Sequence, residues 1–182
     1  MNEVNIENII ASTLIASSLD LEAASKALPG SVYNKEDAHV LRYHMSKPNI
    51  AVLLFKDGGA FLLGGRSIAE YENAVNIVRS TLSINGVKIN EKSDINIYKV
   101  VGSRDLNKKI NISYAAKKLK KDKNDVSYNP DEFPGIIYRL NDPNTVIFLF
   151  DSGRMIGMGN STGDVAVAFD HIKDRLSYLK II

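Results

Sequence analysis

The feature that most constrains this chain is an internal duplication. The stretch Tyr128 to Gly159, YNPDEFPGIIYRLNDPNTVIFLFDSGRMIGMG, has a weaker counterpart in Tyr33 to Gly64, YNKEDAHVLRYHMSKPNIAVLLFKDGGAFLLG. Tyr-Asn aligns with Tyr-Asn, Lys47-Pro48-Asn49 with Asp142-Pro143-Asn144, and LLF with FLF, and a glycine turn follows both, at a constant offset of 95 residues. A fold that must be built twice from one unit is a small set of folds. Each stretch reads as strands joined by tight turns: Asn129-Pro130, Phe133-Pro134-Gly135, Asn141 to Asn144 and Asp151-Ser152-Gly153 punctuate the β-rich runs IIYRL, TVIFLF and RMIGM.

Both copies continue the same order on either side. Val4 to Thr13 reads as a first strand, and Asp20 as the cap of a short helix, LEAASKAL, stopped by Pro29-Gly30. Strands are expected at about Ser31–Asn34, His39–Ser46, Asn49–Phe55 and Ala60–Gly64. A helix opened by Ser67 follows, with Ile68, Tyr71, Val75, Val78 and Leu82 on one stripe and Asn85-Gly86 at its end. The second copy repeats this with a strand over Asp94–Ser103, a helix over Ser113–Lys121 and a short strand near Val126–Asn129. Its last helix is expected to be capped by Thr162, with Val165, Phe169, Ile172, Leu176 and Leu179 on one face. Each copy is β-α-β-β-β-β-α, the first spanning residues 1–90 and the second 91–182. Short turns imply antiparallel pairing, and neither copy looks self-sufficient, so one continuous sheet across both is expected.

Alternation along the strands puts Phe148, Phe150, Ile156 and Met158 on one face and Ile147, Leu149 and Met155 on the other. In the first copy Leu53, Phe55, Phe61 and Leu63 oppose Val52, Leu54 and Leu62. Both faces are apolar, whereas a sheet wetted on one side should alternate apolar with polar. Two single-striped helices per copy suffice for one face. The other face either binds something, is covered because the helices divide between the faces, or stacks on a second chain.

Composition excludes several classes. With 182 residues and a net charge of +2, no global field favours nucleic acid or membrane, so any such binding rests on local surfaces. There is no cysteine, hence no disulfide and no thiolate metal site. His39, His44 and His171 are scattered, no metal or cofactor is implied, and no nucleophile–base constellation or G-x-x-x-x-G-K loop is present, so an enzyme is not expected. No run approaches the roughly 20 apolar residues of a membrane span, and the N-terminus lacks a signal-peptide pattern, so an intracellular protein is expected. The run Lys117 to Lys123 reads as a solvated helix face, with a contact for another protein or for flanking DNA as the alternative.

Three motifs resemble the TATA-box-binding protein family across essentially the whole chain. They are Glu7 to Thr13 (ENIIAST), Tyr128 to Gly135 with Ile136-Ile137-Tyr138-Arg139, and Phe150-Asp151-Ser152-Gly153-Arg154. The lack of an extra N-terminal domain is similar to archaeal members, which would place the protein in the cytoplasm at the nucleoid, whereas a eukaryotic one would be nuclear. The resemblance implies an α+β saddle: one ten-stranded antiparallel sheet from two direct repeats, four helices on its convex back, and a concave face for the DNA minor groove. A·T pairs offer acceptors there and no protruding amine, so apolar side chains can press against them. A guanine amine would be buried without a partner.

Carried over position by position, the resemblance assigns wedge roles to Phe133 and Phe150 in the second copy and to Phe55 in the first, where Ala38 stands in place of the partner wedge. One end of a bound site should therefore be kinked more than the other. Asn8 matches a groove-centre asparagine, and Lys99 replaces its counterpart, donating to the same acceptors at a higher desolvation cost. Ile10 and Val101 stay apolar, Ser12 and Ser103 are potential donors, and Leu63 and Met158 replace threonines. Leu53, Phe61, Phe148 and Ile156 complete the implied apolar floor. Arg66, Arg139 and Arg154 match phosphate-contacting positions, while His44, Gly59 and Ser161 do not, which thins the ionic contacts. Asp131 and Glu132 lie in the loop that in the family meets transcription factor B.

Two functional readings follow. The first is a general initiation factor that bends A·T-rich promoter DNA and recruits transcription factor B and, through it, RNA polymerase. The second is a divergent paralogue acting mainly as a protein-interaction module with weak or partner-dependent DNA binding, to which Ala38, Lys99, Leu63 and Met158 point. A homodimer hiding its own open face is a third arrangement.

Overall fold

The structure, a computed structural model, describes residues 3–36, 39–89, 93–121 and 125–182. Its elements are β1 (Asn5–Leu14), α1 (Leu21–Ala27), β2 (Val32–Tyr33), β3 (Val40–Ser46), β4 (Asn49–Phe55), β5 (Gly59–Leu63) and α2 (Ile68–Ile84). They are followed by β6 (Asn96–Asp105), α3 (Ile112–Leu119), β7 (Asp125–Ser127), β8 (Ile136–Asn141), β9 (Asn144–Leu149), β10 (Arg154–Gly159) and α4 (Thr162–Tyr178). Among the described residues the strands form an open ten-stranded sheet in the order β2-β3-β4-β5-β1-β6-β10-β9-β8-β7. The α+β class and the antiparallel meander expected from the short turns are found in each half.

The chain divides into two compact units, Asn8–Tyr98 and Met1–Glu7 with Lys99–Ile182. In the first, the strands turn every second residue toward the helices. Leu41, Val52, Leu54 and Leu62 are buried there, and α2 meets them with Tyr71, Ala74, Val78 and Leu82. The Tyr71 hydroxyl donates to the Ile9 carbonyl and accepts from the Gly65 amide at 3.1 Å, fastening α2 to β1. Burial pushes its phenol above the usual range. In the second unit Ile136, Tyr138, Ile147, Leu149 and Met155 form one core with Ala115, Ala116 and Leu119 of α3 and Val165, Phe169, Ile172 and Leu176 of α4.

Both units close the β1-type strand in the same way. The Ile15 amide donates to the Gly58 carbonyl at 2.8 Å, and the Leu106 amide to the Gly153 carbonyl at 3.0 Å. The tip of each hairpin is thereby docked on the chain leaving the first strand. Gly58 and Gly153 have φ of +81° and +88°, and a Cβ on either would run into the carbonyl of Ala16 or Lys108.

Some boundaries differ from the sequence expectation, for local reasons. Ser161, not Thr162, caps α4: its Oγ accepts the Asp164 amide at 3.0 Å, the arrangement Ser67 makes with Glu70 at 3.3 Å on α2. Likewise α3 begins at Ile112, because Asn111 accepts the Tyr114 amide at 3.0 Å, and it ends at Leu119. The basic stretch 117–123 therefore only partly belongs to a helix, and its last residues lie outside the described ones. Ile68 and Leu179 are half-buried rather than core residues.

Gly153→Ala combines an unfavourable φ with backbone overlap, and chemical denaturation should show a loss of about 3 kcal/mol. Gly30→Ala has φ of +82° but nothing within 4 Å, and the same measurement should show only about 1–2 kcal/mol.

Candidate functional site

In the unit holding the second copy, the face away from α3 and α4 is built by register. Ile156 lies opposite Ser103 on β6 and Phe148 on β9, Met158 opposite Val101, and Ile137 opposite Phe148. Phe148, Phe150, Ile156, Met158 and Val101 are half-buried, while Ile147, Leu149 and Met155 on the other face are fully buried. Phe133 sits in the loop before β8. Its amide donates to the Asn129 carbonyl at 2.9 Å. Its ring lies edge-on to Phe148 at 5.4 Å and Phe150 at 5.7 Å. A side chain at Gly135 would overlap that ring, so glycine there lets the loop close on the sheet. Three phenylalanines thus form a cluster, each partly open to solvent.

The unit of the first copy repeats the plan. Leu53 lies opposite Phe61, Phe61 opposite Ser12, and Leu63 opposite Ala51. Asn8, Ile10, Ser12, Leu53, Phe55 and Leu63 are half-buried and Phe61 is exposed. Phe55 and Phe61 pack edge-to-face at 6.0 Å. The Ala38 expectation lies outside the described residues. Asn8 Oδ1 accepts the Gly64 amide at 2.8 Å. Arg66 is exposed, its amide held by the Glu70 carboxylate at 3.0 Å.

The charges on this face engage their own chain. Glu7 accepts from Ser103 Oγ at 2.6 Å and from the Arg154 guanidinium at 3.1 Å. Arg139 reaches Asp125 and Ser127, both at 3.4 Å. Lys99 donates to Asn160 at 2.6 Å. Asp131 and Glu132 are exposed. Among the described residues no group of three or more His, Asp or Glu could hold a metal, and no helix is long and apolar enough to cross a membrane.

Sequence reasoning missed four residues here: Glu7, Tyr98, Asp125 and Asn160. Tyr98 is 61% exposed and stacks edge-on against Phe61 at 6.2 Å. A signal for two of them was available, because Glu7 and Tyr98 directly precede the matched positions Asn8 and Lys99. The other two are cross-strand or loop partners that no spacing along the chain reveals.

Comparison with known proteins agrees with this construction. The family model described as "Transcription factor TFIID (or TATA-binding protein, TBP)" matches residues 3–84 and 94–179. The chain is 32% identical over 180 residues to TATA-box-binding protein B of Halobacterium salinarum, covering 98% of this chain and 96% of that one. It is 32% identical over 181 residues to the TATA-box-binding protein of Methanothermobacter thermautotrophicus, covering 99% and 98%. The solved structure of Methanococcus jannaschii TBP superposes with a TM-score of 0.88 at 30% identity, covering 97% of this chain and 99% of that one.

The two-faced reading is checked by unfolding. Leu149→Ala should cost about 3–5 kcal/mol, as a buried leucine does. Phe150→Ala, on the open face, should cost about 1 kcal/mol, chiefly its ring contact with Phe133.

Proposed function

The chain belongs to the TATA-binding protein family, and from that premise we propose that it is a general initiation factor whose open sheet face binds the minor groove of A·T-rich promoter DNA. The family is one of DNA-binding transcription factors, not of enzymes. The observation that supports the reading most directly is the uncovered apolar floor, with Phe133, Phe148 and Phe150 clustered at its edge in the second copy. Minor-groove binding needs such a surface: hydrophobic area for the sugars and base edges, and protruding rings to enter a base step. This family is itself the reference case for that wedging. In this reading Phe133 and Phe150 enter one step and Phe55 works at the other end without a phenylalanine at position 38, so the bend is unequal. Asp131 and Glu132, exposed beside Phe133, offer acidic contacts to transcription factor B, through which RNA polymerase is recruited. The protein then acts at the promoter, in the cytoplasm of an archaeal cell.

A specific observation favours a weaker, partner-dependent version. Arg154 and Arg139 are already bonded to Glu7 and Asp125. A phosphate must compete with a carboxylate for each guanidinium, which lowers affinity and, where the carboxylate keeps its partner, flattens the salt dependence.

A gel shift with a TATA duplex, with and without transcription factor B, tests the proposal. Binding that strengthens with the factor supports it. Absence of any complex in both conditions overturns it, and a homodimer by sedimentation would then account for the apolar face. Glu7→Gln should tighten binding by about threefold to fivefold at low salt, an exposed ion pair being worth at most about 1 kcal/mol. The same variant should steepen the log K against log salt slope by about 0.9, one regained phosphate contact. Asp174→Asn, at an exposed position of α4, should change neither. Phe133→Ala should reduce the bend measured by fluorescence transfer at one end of the site only.

A further inference from the structure

In the second copy the groove-centre position holds Lys99, and its ammonium donates to the side-chain oxygen of Asn160 at 2.6 Å. β6 and β10 pair with Met158 opposite Val101 and Gly159 opposite Val100, so Asn160 follows directly opposite Lys99. Val101 and Met158 lie on the open face, and Lys99, two residues from Val101, shares it. The first copy is built otherwise. Its strand position is Asn8, and Gly65, the counterpart of Asn160, has no side chain. Each copy therefore presents one side-chain amide beside its first strand, carried by β1 in one case and by the residue after β10 in the other.

The donor chemistry fixes how the second amide points. An ammonium only donates, so Asn160 must turn its oxygen to Lys99, which leaves its NH₂ as the group it can offer to another acceptor. The Asn8 oxygen is likewise taken by the Gly64 amide. What the two amides have left to offer are thus N–H donors. The minor-groove edge of an A·T pair offers acceptors only, N3 and O2, whereas a G·C pair adds the guanine amine, a donor. Holding Lys99 on Asn160 also offsets the cost of bringing an ammonium into a narrow, dehydrated groove.

We propose that Lys99 and Asn160 act as a single two-residue reader of A·T pairs, the amide lost from β6 having been replaced across the sheet by Asn160. This rests on the minor-groove reading above and adds a specificity-determining residue, Asn160, to it. Asn160 is then a contact residue and also the positioning partner of Lys99.

The test is fluorescence anisotropy with the full chain on three duplexes: an A·T-rich box, the same box with central inosine·cytosine pairs, and the same box with central G·C pairs. Inosine lacks the minor-groove amine, so it isolates that group. The wild type should bind the first two alike and the third at least about tenfold more weakly. Asn160→Ala and Lys99→Met should each lose about tenfold on the A·T box and narrow the discrimination against G·C. The double variant should lose little more than the larger single loss, because the two act together. Circular dichroism melts report whether each variant is folded. Independent, additive losses overturn the proposal, as does Asn160→Ala with wild-type affinity and discrimination. A wild type that binds none of the duplexes removes the DNA-binding reading and this pair with it, a result distinct from wild-type binding with an inert Asn160.

Discussion

A strand gives every second residue to each of its faces, and in each unit of this chain the helices supply enough apolar surface for one face only. Everything else follows from that mismatch. Ile147, Leu149 and Met155 are fully buried beneath α4, while Phe148 and Ile156, their direct neighbours in sequence, remain partly open. Polar residues on the second face would have satisfied water. The chain instead carries apolar side chains there in both copies, Leu53, Phe55 and Leu63 in the first and Phe148, Phe150 and Ile156 in the second, a surface suited to a partner that is itself partly apolar.

The fold was legible because the duplication doubled every weak signal. A lone IAVLLF is ambiguous between strand and buried helix; its recurrence as TVIFLF, followed each time by a glycine turn, resolves the ambiguity. Face assignment followed from alternation alone and survives at Leu53, Phe55 and Leu63 against Val52, Leu54 and Leu62. Helix starts were less legible, since Ser161 and Thr162 are both plausible caps and only the hydrogen bond to Asp164 separates them. The wedge expectation for Phe133 came only from family resemblance, whereas its packing on Phe148 and Phe150 follows from the loop geometry that Gly135 permits.

What could not be read was the polar network. Glu7 meets Ser103 and Arg154 from far along the chain, and Lys99 meets Asn160 across a strand pair. Such partners depend on register, and a one-residue shift would replace all of them. They matter because they set the electrostatic character of the open face. Lys99, Arg139 and Arg154 are each bonded to oxygens of the protein itself. On the proposed reading, phosphate and base edges must compete with these internal partners, so single residues can adjust affinity without disturbing the apolar floor.

The docking of each hairpin tip on the chain leaving the first strand has a consequence for how this protein can change length. Gly58 and Gly153 are pinned to Ile15 and Leu106, so neither tip can grow without breaking that bond. The two copies accordingly keep equal spacing through their hairpins and differ between the first helix and the short strand after it, where Leu21 and Val32 correspond to Ile112 and Ser127. That joint is where this architecture accepts extra residues. A fluorophore, an affinity handle or a grafted peptide belongs there, away from the hairpin ends that look most inviting on a topology diagram.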